Sequence, residues 1–170
     1  GTPDAQIISP IDGGNGSALL YIHGGGMVIG AAEQDYRLAI RVAERYGISV
    51  VLAEYQLAPE HRFPIPLDDC AHVWAWLVGH AASRGIDPGR IAIGGQSAGG
   101  GLAAMLAQRL HDGAGGQPVA QWLFCPMLDD RTAADRSLDR VRHRLWNNRS
   151  NRAGWKSLLG VEPGAATVPE

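Results

Sequence analysis

Apolar positions in this chain fall into short unbroken runs, separated by longer stretches in which they recur with helical spacing. The first strong run, "SALLYIH" (17–23), is too short for a helix and ends at glycines, which predicts a buried strand. A helix is predicted over 33–46, with Tyr36, Ile40 and Ala43 on one inward stripe and Gly47 closing it. "ISVVLAEY" (48–55) is β-branched and apolar throughout, as suits a strand covered on both faces. A second helix is predicted over 66–83, carrying Leu67, Cys70, Trp74 and Leu77 on one stripe. After the turn signal "GIDPGR" come the strand "RIAIGG" (90–95) and a helix from Ala98 to His111, with Leu102, Met105 and Leu106 facing inward. "PVAQWLFCP" (118–126) is a fourth strong strand, and "QIIS" (6–9) an edge strand because Pro10 follows it.

Strands alternating with helices about every 30 residues imply right-handed crossovers, hence an α/β fold: a mostly parallel sheet with helices on both faces. The texture changes after Asp130. Residues 131–152 hold seven arginines and few aliphatics, which predicts short helices. The chain therefore divides into a sheet-bearing part, 1–130, and a lid-like or connecting helical segment, 131–170. The glycine-rich "HDGAGGQP" (111–118) is predicted to be a loop.

With 170 residues and 45% hydrophobic content, the chain can build one real core. A net charge of −2 excludes a global basic field for nucleic acid or anionic membrane. The arginines of 131–152 are interleaved with Asp135 and Asp139 and lack an aromatic ladder, so they predict a solvated face rather than a nucleic-acid patch. Cys70 and Cys125 sit in apolar contexts without metal-ligand spacing, and are expected to be buried thiols of a reducing, cytoplasmic setting. No run approaches the roughly 20 apolar residues of a membrane span, and no signal peptide opens the chain. Its start, "GTPDAQ", lacks Met and reads as a trimmed or engineered end.

Two glycine-rich stretches carry the candidate chemistry. In "GGQSAGGG" (94–101), Gly95 to Gly99 fits G-x-S-x-G and falls between a predicted strand and a predicted helix. Such a sharp turn lifts the Ser97 hydroxyl above the sheet edge and aims the Ala98 N–H at developing negative charge. "HGGGMVIG" (23–30) follows the first strong strand and offers unhindered N–H groups, as an oxyanion hole requires. A phosphate-binding loop is the competing reading. No GK[ST] follows, however, and G-x-G-x-x-G is not met cleanly. The pocket is expected at the carboxyl edge of the strands, between the 23–30 loop and Ser97, with apolar walls.

"HGGGMVIG", "EYQLAPEHRFP", "GGQSAGGG" and "PMLDDR", in this order and spacing, resemble the hormone-sensitive lipase group of α/β-hydrolases, and the likeness runs from about Ser17 to Gly160. The resemblance implies an α/β-hydrolase fold, truncated before its last strands, and a serine carboxylesterase that cleaves short-chain or aromatic esters through an acyl-enzyme. Ser97 is then the nucleophile; Gly25, Gly26 and Ala98 supply the oxyanion hole; His23 and Gly24 support that loop. Gln96, Glu54, Gln56 and Met27 depart from the commoner residues of the group, which touches the pocket more than the reaction class. No cofactor and no metal are expected.

A serine needs a base oriented by a carboxylate. The resemblance places both on loops after two further strands, beyond "VEPGAATVPE". His61, His72, His80 and His111 read as structural or solvated. Only Asp129 or Asp130 with His143 could complete the order Ser, Asp, His within the chain, and a turn or helix-cap pair is the favoured reading of the aspartates. Trp146 and Trp155 read as packing anchors. The expected partner is a small ester, with a companion chain or self-association along the open fourth strand as a further expectation. The alternative function is a catalytically incomplete binding or assembly module, or one half of a two-chain enzyme.

Overall fold

The computed structural model describes residues 4–113 and 115–166. Residues 1–3 and 167–170 at the ends of the two predicted segments, and Ala114 of the predicted 111–118 loop, lie outside the described residues. Five strands, β1 (Ala5–Ile8), β2 (Ala18–Ile22), β3 (Ser49–Ala53), β4 (Ile91–Gln96) and β5 (Gln121–Phe124), form one sheet in the order β1-β3-β2-β4-β5. β1 runs antiparallel to β3, and all other pairs are parallel. The α/β architecture, the four parallel strands and an edge strand at "QIIS" thus stand as predicted, and the structure adds that this edge runs antiparallel.

The pleat divides the core in two. Leu20 and Ile22 of β2 and Val51 and Ala53 of β3 face one layer; Leu19, Tyr21, Val50 and Leu52 face the other. The first layer is built by α2 (Ile65–His80), α3 (Ala98–Asp112) and α5 (Asn148–Leu159). α2 buries Leu67, Cys70, Trp74 and Leu77, the stripe its sequence predicts. The second layer is α1 (Tyr36–Tyr46), closed by Gly47 in the left-handed conformation with its N–H on the Ala43 carbonyl. On α1 the predicted stripe is wrong in one member: Ile40 is 44% exposed. The buried row is Ala39, Val42 and Ala43, where small side chains let the helix lie close against β3.

Leu106 of α3 is fully buried between the sheet and α2. Leu106→Ala is expected to cost about 3 kcal/mol of unfolding free energy, read as a fall in the urea midpoint at unchanged slope.

β5 is shorter than the predicted 118–126. Only Gln121–Phe124 are strand, although the Val119 N–H already donates to Ile91 and the Ala120 carbonyl accepts from Ile93. The expectation of two buried thiols also fails at one position. Cys70 is buried, but Cys125 is exposed with φ 41°, because the backbone bends there to turn the chain from β5 toward Met127. Beyond β5, a short helix α4 (Arg131–Ala134) and a 3-10 turn (Arg136–Arg140) precede α5, whose Trp155, Leu158 and Leu159 join the main core. Among the described residues no helix is long and apolar enough to cross a membrane.

Candidate active site

Between β4 and α3 the chain reverses at a single residue. Ser97 has φ 54° and ψ −116°, outside the regions an L-residue favours, and such strain persists only where the surroundings enforce it. They do so on both sides. The Ser97 N–H donates to the Phe124 carbonyl (2.9 Å), and the Ser97 carbonyl accepts from the N–H groups of Gly101 and Met127 (3.0 Å each). β5 and the segment after it thus clamp the turn, while the half-buried hydroxyl has no hydrogen-bond partner among the described residues.

The start of α3 lies against the end of β2. A Cβ at Gly99 would collide with the carbonyl oxygens of Ile22 and His23, so only glycine lets the helix begin here. Because β2 and β4 are neighbours, the loop after β2 emerges beside Ser97. At Gly24 a Cβ would lie 3.0 Å from the Gln96 carbonyl oxygen and 3.5 Å from the Ser97 Cβ. The loop then turns through positive φ at Gly25 (134°), Gly26 (63°) and Met27 (69°), with the Gly25 carbonyl accepting from Val28 and Ile29. The amides of Gly25, Gly26 and Ala98 donate to no other group among the described residues.

His23 supports this loop from within the protein. Its ring is 1% exposed, stacks on Tyr55 at 4.2 Å, and donates from Nδ1 to the Gly24 carbonyl (2.8 Å). That bond places the proton on Nδ1 and leaves Nε2 without a hydrogen-bond partner, 3.9 Å from Glu54 Oε1. The Tyr55 hydroxyl donates to the His23 carbonyl, and burial holds this phenol far above its ordinary pKa. Glu54 accepts the Ala32 N–H (2.8 Å), and Gln56 is tied to buried Asp69 through its N–H (2.9 Å) and side-chain amide. The departures at 54 and 56 therefore brace loops around the site.

Asp35 was not singled out by sequence reasoning, yet it is buried with Oδ2 unpartnered. Burial raises its carboxyl pKa, and the nearby His23 offsets part of the rise. A raised native pKa means the folded state binds this proton more tightly than the unfolded state does. The associated stability is full below the unfolded pKa and is lost as pH rises through the native one. Asp35→Asn is thus expected to be more stable than the parent at pH 7, with the gain shrinking below about pH 4; denaturant titrations at the two pH values measure it.

The cavity beside Ser97 holds about 540 Å³, and its walls are not those expected. No residue of the 23–30 loop lines it. They come from the turn after β5 (Pro126, Met127, Leu128) and from the arginine-rich segment and α5 (Val141, Trp146, Trp155). Trp146 accounts for the difference. The edge of its ring packs against Gly26 and Gly154, which also lie against each other, so that Trp146 touches the glycine loop and lines the cavity. Trp146 and Trp155 therefore pack, as expected, and also line the pocket. An aromatic within a polar, arginine-rich stretch was the available signal.

Asp129 and His143 line the same cavity as Ser97, yet no hydrogen bond joins any two of the three. Both Asp129 carboxylate oxygens are held by the Arg131 guanidinium (2.7–3.1 Å), which keeps this carboxyl below its ordinary pKa. Asp130 accepts the Gly164 N–H. Neither aspartate is positioned to orient an imidazole. His72, His80 and His111 are exposed on α2 and α3, with His80 stacked on Trp76 and bonded to its carbonyl. His61 is half-buried, its N–H on the Leu57 carbonyl. No group of three or more metal-ligating side chains converges among the described residues.

Comparisons with known proteins agree with this geometry. Residues 19–168 match the family model described as the α/β hydrolase fold. The carboxylic ester hydrolase LipN of Mycobacterium tuberculosis is 37% identical over 139 residues, 79% of this chain and 37% of that protein. The ethyl acetate hydrolase of Pseudomonas putida is 45% identical over 95 residues, 56% of this chain and 30% of its own. A bacterial heroin esterase superimposes with a TM-score of 0.89 at 37% identity, over 97% of this chain and 53% of that one. The chain thus spans about a third of the length of these curated relatives and about half of that solved structure. It belongs to the α/β-hydrolase fold family and is similar to the family's hormone-sensitive-lipase-like carboxylesterases.

Proposed function

We propose that this chain is the nucleophile- and oxyanion-bearing part of a serine carboxylesterase acting on small esters. One observation carries the reading: Ser97 is held at positive φ at a strand-to-helix turn, next to the unengaged amide of Ala98 and beside the root of the loop that carries the unengaged amides of Gly25 and Gly26. Ser97 Oγ attacks the ester carbonyl as its proton passes to a base, and the three amides stabilise the resulting oxyanion. Collapse of the tetrahedral intermediate expels the alcohol with a proton and leaves an acyl-serine, which water hydrolyses to the acid. Apolar walls at Met127, Val141 and Trp155 favour short-chain or aromatic acyl groups. The 131–166 segment acts as a lid-like wall over this pocket. Two unpaired thiols, Cys70 and Cys125, support a cytoplasmic setting.

The base and its orienting acid are proposed to come from polypeptide other than the described residues, since Asp129 is engaged by Arg131 and His143 has no hydrogen-bond partner among the described residues. A further observation favours a partner along the sheet. β5 is an edge strand with Trp122 and Phe124 exposed at 44% and 58%, a surface that suits pairing with a complementary chain, or with a second copy in a non-catalytic assembly.

The test is fluorophosphonate treatment of the intact protein with mass analysis, alongside hydrolysis of p-nitrophenyl butyrate. An adduct on Ser97 that Ser97→Ala abolishes is expected. Turnover without any Ser97 adduct would sink the reading. An adduct without turnover would assign this chain the nucleophile and leave deacylation to the complementary polypeptide.

A further inference from the structure

The cavity beside Ser97 does not end in an apolar wall. Val141, His143, Asn147 and Asn148 also border a second cavity of about 720 Å³. Arg136, Arg142, Arg149 and Arg152 stand around that second space, against the single Asp139 carboxylate. A chain of net charge −2 has therefore gathered four guanidiniums around a cavity that adjoins the one beside its candidate nucleophile. We propose that this basic cavity selects esters whose acyl or alcohol arm ends in a carboxylate, such as half-esters of dicarboxylic acids. The inference rests on the serine-esterase reading and names its substrate class.

The arginines differ in what they already hold. Buried Asn148 donates from Nδ2 to the Asp135 carbonyl and to Asp139 Oδ1 (2.8 Å), which fixes Asp139 in place. Asp139 in turn binds Arg136 (2.8 Å) and Arg152 (2.9 Å). Those two guanidiniums are partnered and form the frame. Arg142 and Arg149 are exposed and have no carboxylate partner among the described residues. They remain for a ligand. A guanidinium fork matches a planar carboxylate with two parallel N–H donors, which gives orientation as well as attraction. With the carboxylate seated there, the ester carbonyl of the same molecule extends past Val141 and Asn147 toward Ser97. Arg142 and Arg149 are exposed, in line with the solvated face expected of 131–152, and the proposal gives that face a ligand.

Binding, not turnover, makes the test independent of where the base comes from. In Ser97→Ala, which leaves esters intact, monoethyl glutarate and monoethyl adipate are titrated against their neutral diethyl esters, with tryptophan fluorescence or heat as readout. The half-esters are expected to bind about tenfold more tightly, and the preference to fade as salt is raised to about 0.5 M. Arg142→Gln combined with Arg149→Gln should abolish the preference without changing affinity for the diethyl esters. The corresponding lysine pair should keep most of it, which controls for folding. Equal affinity for charged and neutral esters, or a preference that survives the glutamine pair, overturns the proposal. The serine reading fails separately, when the parent protein turns over ester without a fluorophosphonate adduct on Ser97.

Discussion

Gly99→Ala is expected to destabilise the protein by at least about 4 kcal/mol, or to prevent folding altogether, although it adds one methyl group. That methyl has nowhere to go. It would meet the Ile22 and His23 carbonyl oxygens, which belong to the central strand and the root of the glycine loop, so relief requires α3 to move off the sheet. Moving α3 undoes the packing of Leu102, Ala103 and Leu106, all fully buried. A domain of ordinary stability has roughly 5–15 kcal/mol in total, so this one methyl takes a large part of it. Gly79→Ala is the control. Gly79 lies within α2 with nothing near its Cβ position, and alanine there should stabilise the protein by up to about 1 kcal/mol. Denaturant midpoints of the two variants should move in opposite directions; a mild effect at Gly99 would show that the helix start is not confined as described.

With Gly26 as a proposed oxyanion donor, Gly26→Ala is expected to slow phosphonylation of Ser97 by a fluorophosphonate by about 10² to 10³, the usual effect of losing one such donor. Two physical causes act together. The residue sits at φ 63°, which alanine adopts only under strain, and its Cβ would strike the Trp146 ring. The loop must rotate or Trp146 must leave, and a rotated loop displaces the Gly26 amide from the place proposed for it. Trp146→Ala in the Gly26→Ala background separates the causes: it removes the clash and should restore stability, while the phosphonylation rate recovers only in part because the backbone strain remains. An unchanged rate in Gly26→Ala would remove its amide from the oxyanion hole.

Legibility along the chain followed how local the deciding physics was. The strands at 18–22 and 49–53, and β4 up to Gly95, are covered on both faces, and such segments are mostly apolar, so their runs stand out. The stripe on α2 was legible because its large side chains face one thick layer. On α1 the same logic pointed to Ile40, but the helix packs through alanines, and only the sheet shows which face is close. Cys125 looked buried from its apolar neighbours; the bend at φ 41° turned it outward. β5 reads as a core strand, yet most of its residues are exposed because nothing described covers that edge.

The glycine pattern around Ser97 and after His23 was enough, by itself, to propose the turn, the loop and their chemistry, because tight backbone geometry admits few residue types. Tertiary structure alone decided what surrounds them. Trp146 reaches the glycine loop from 120 positions downstream of Gly26, Asp35 is buried beside His23, and Asp129 is drawn to Arg131 rather than to an imidazole. Contacts between residues far apart in the chain depend on how layers pack, and no local spacing encodes them.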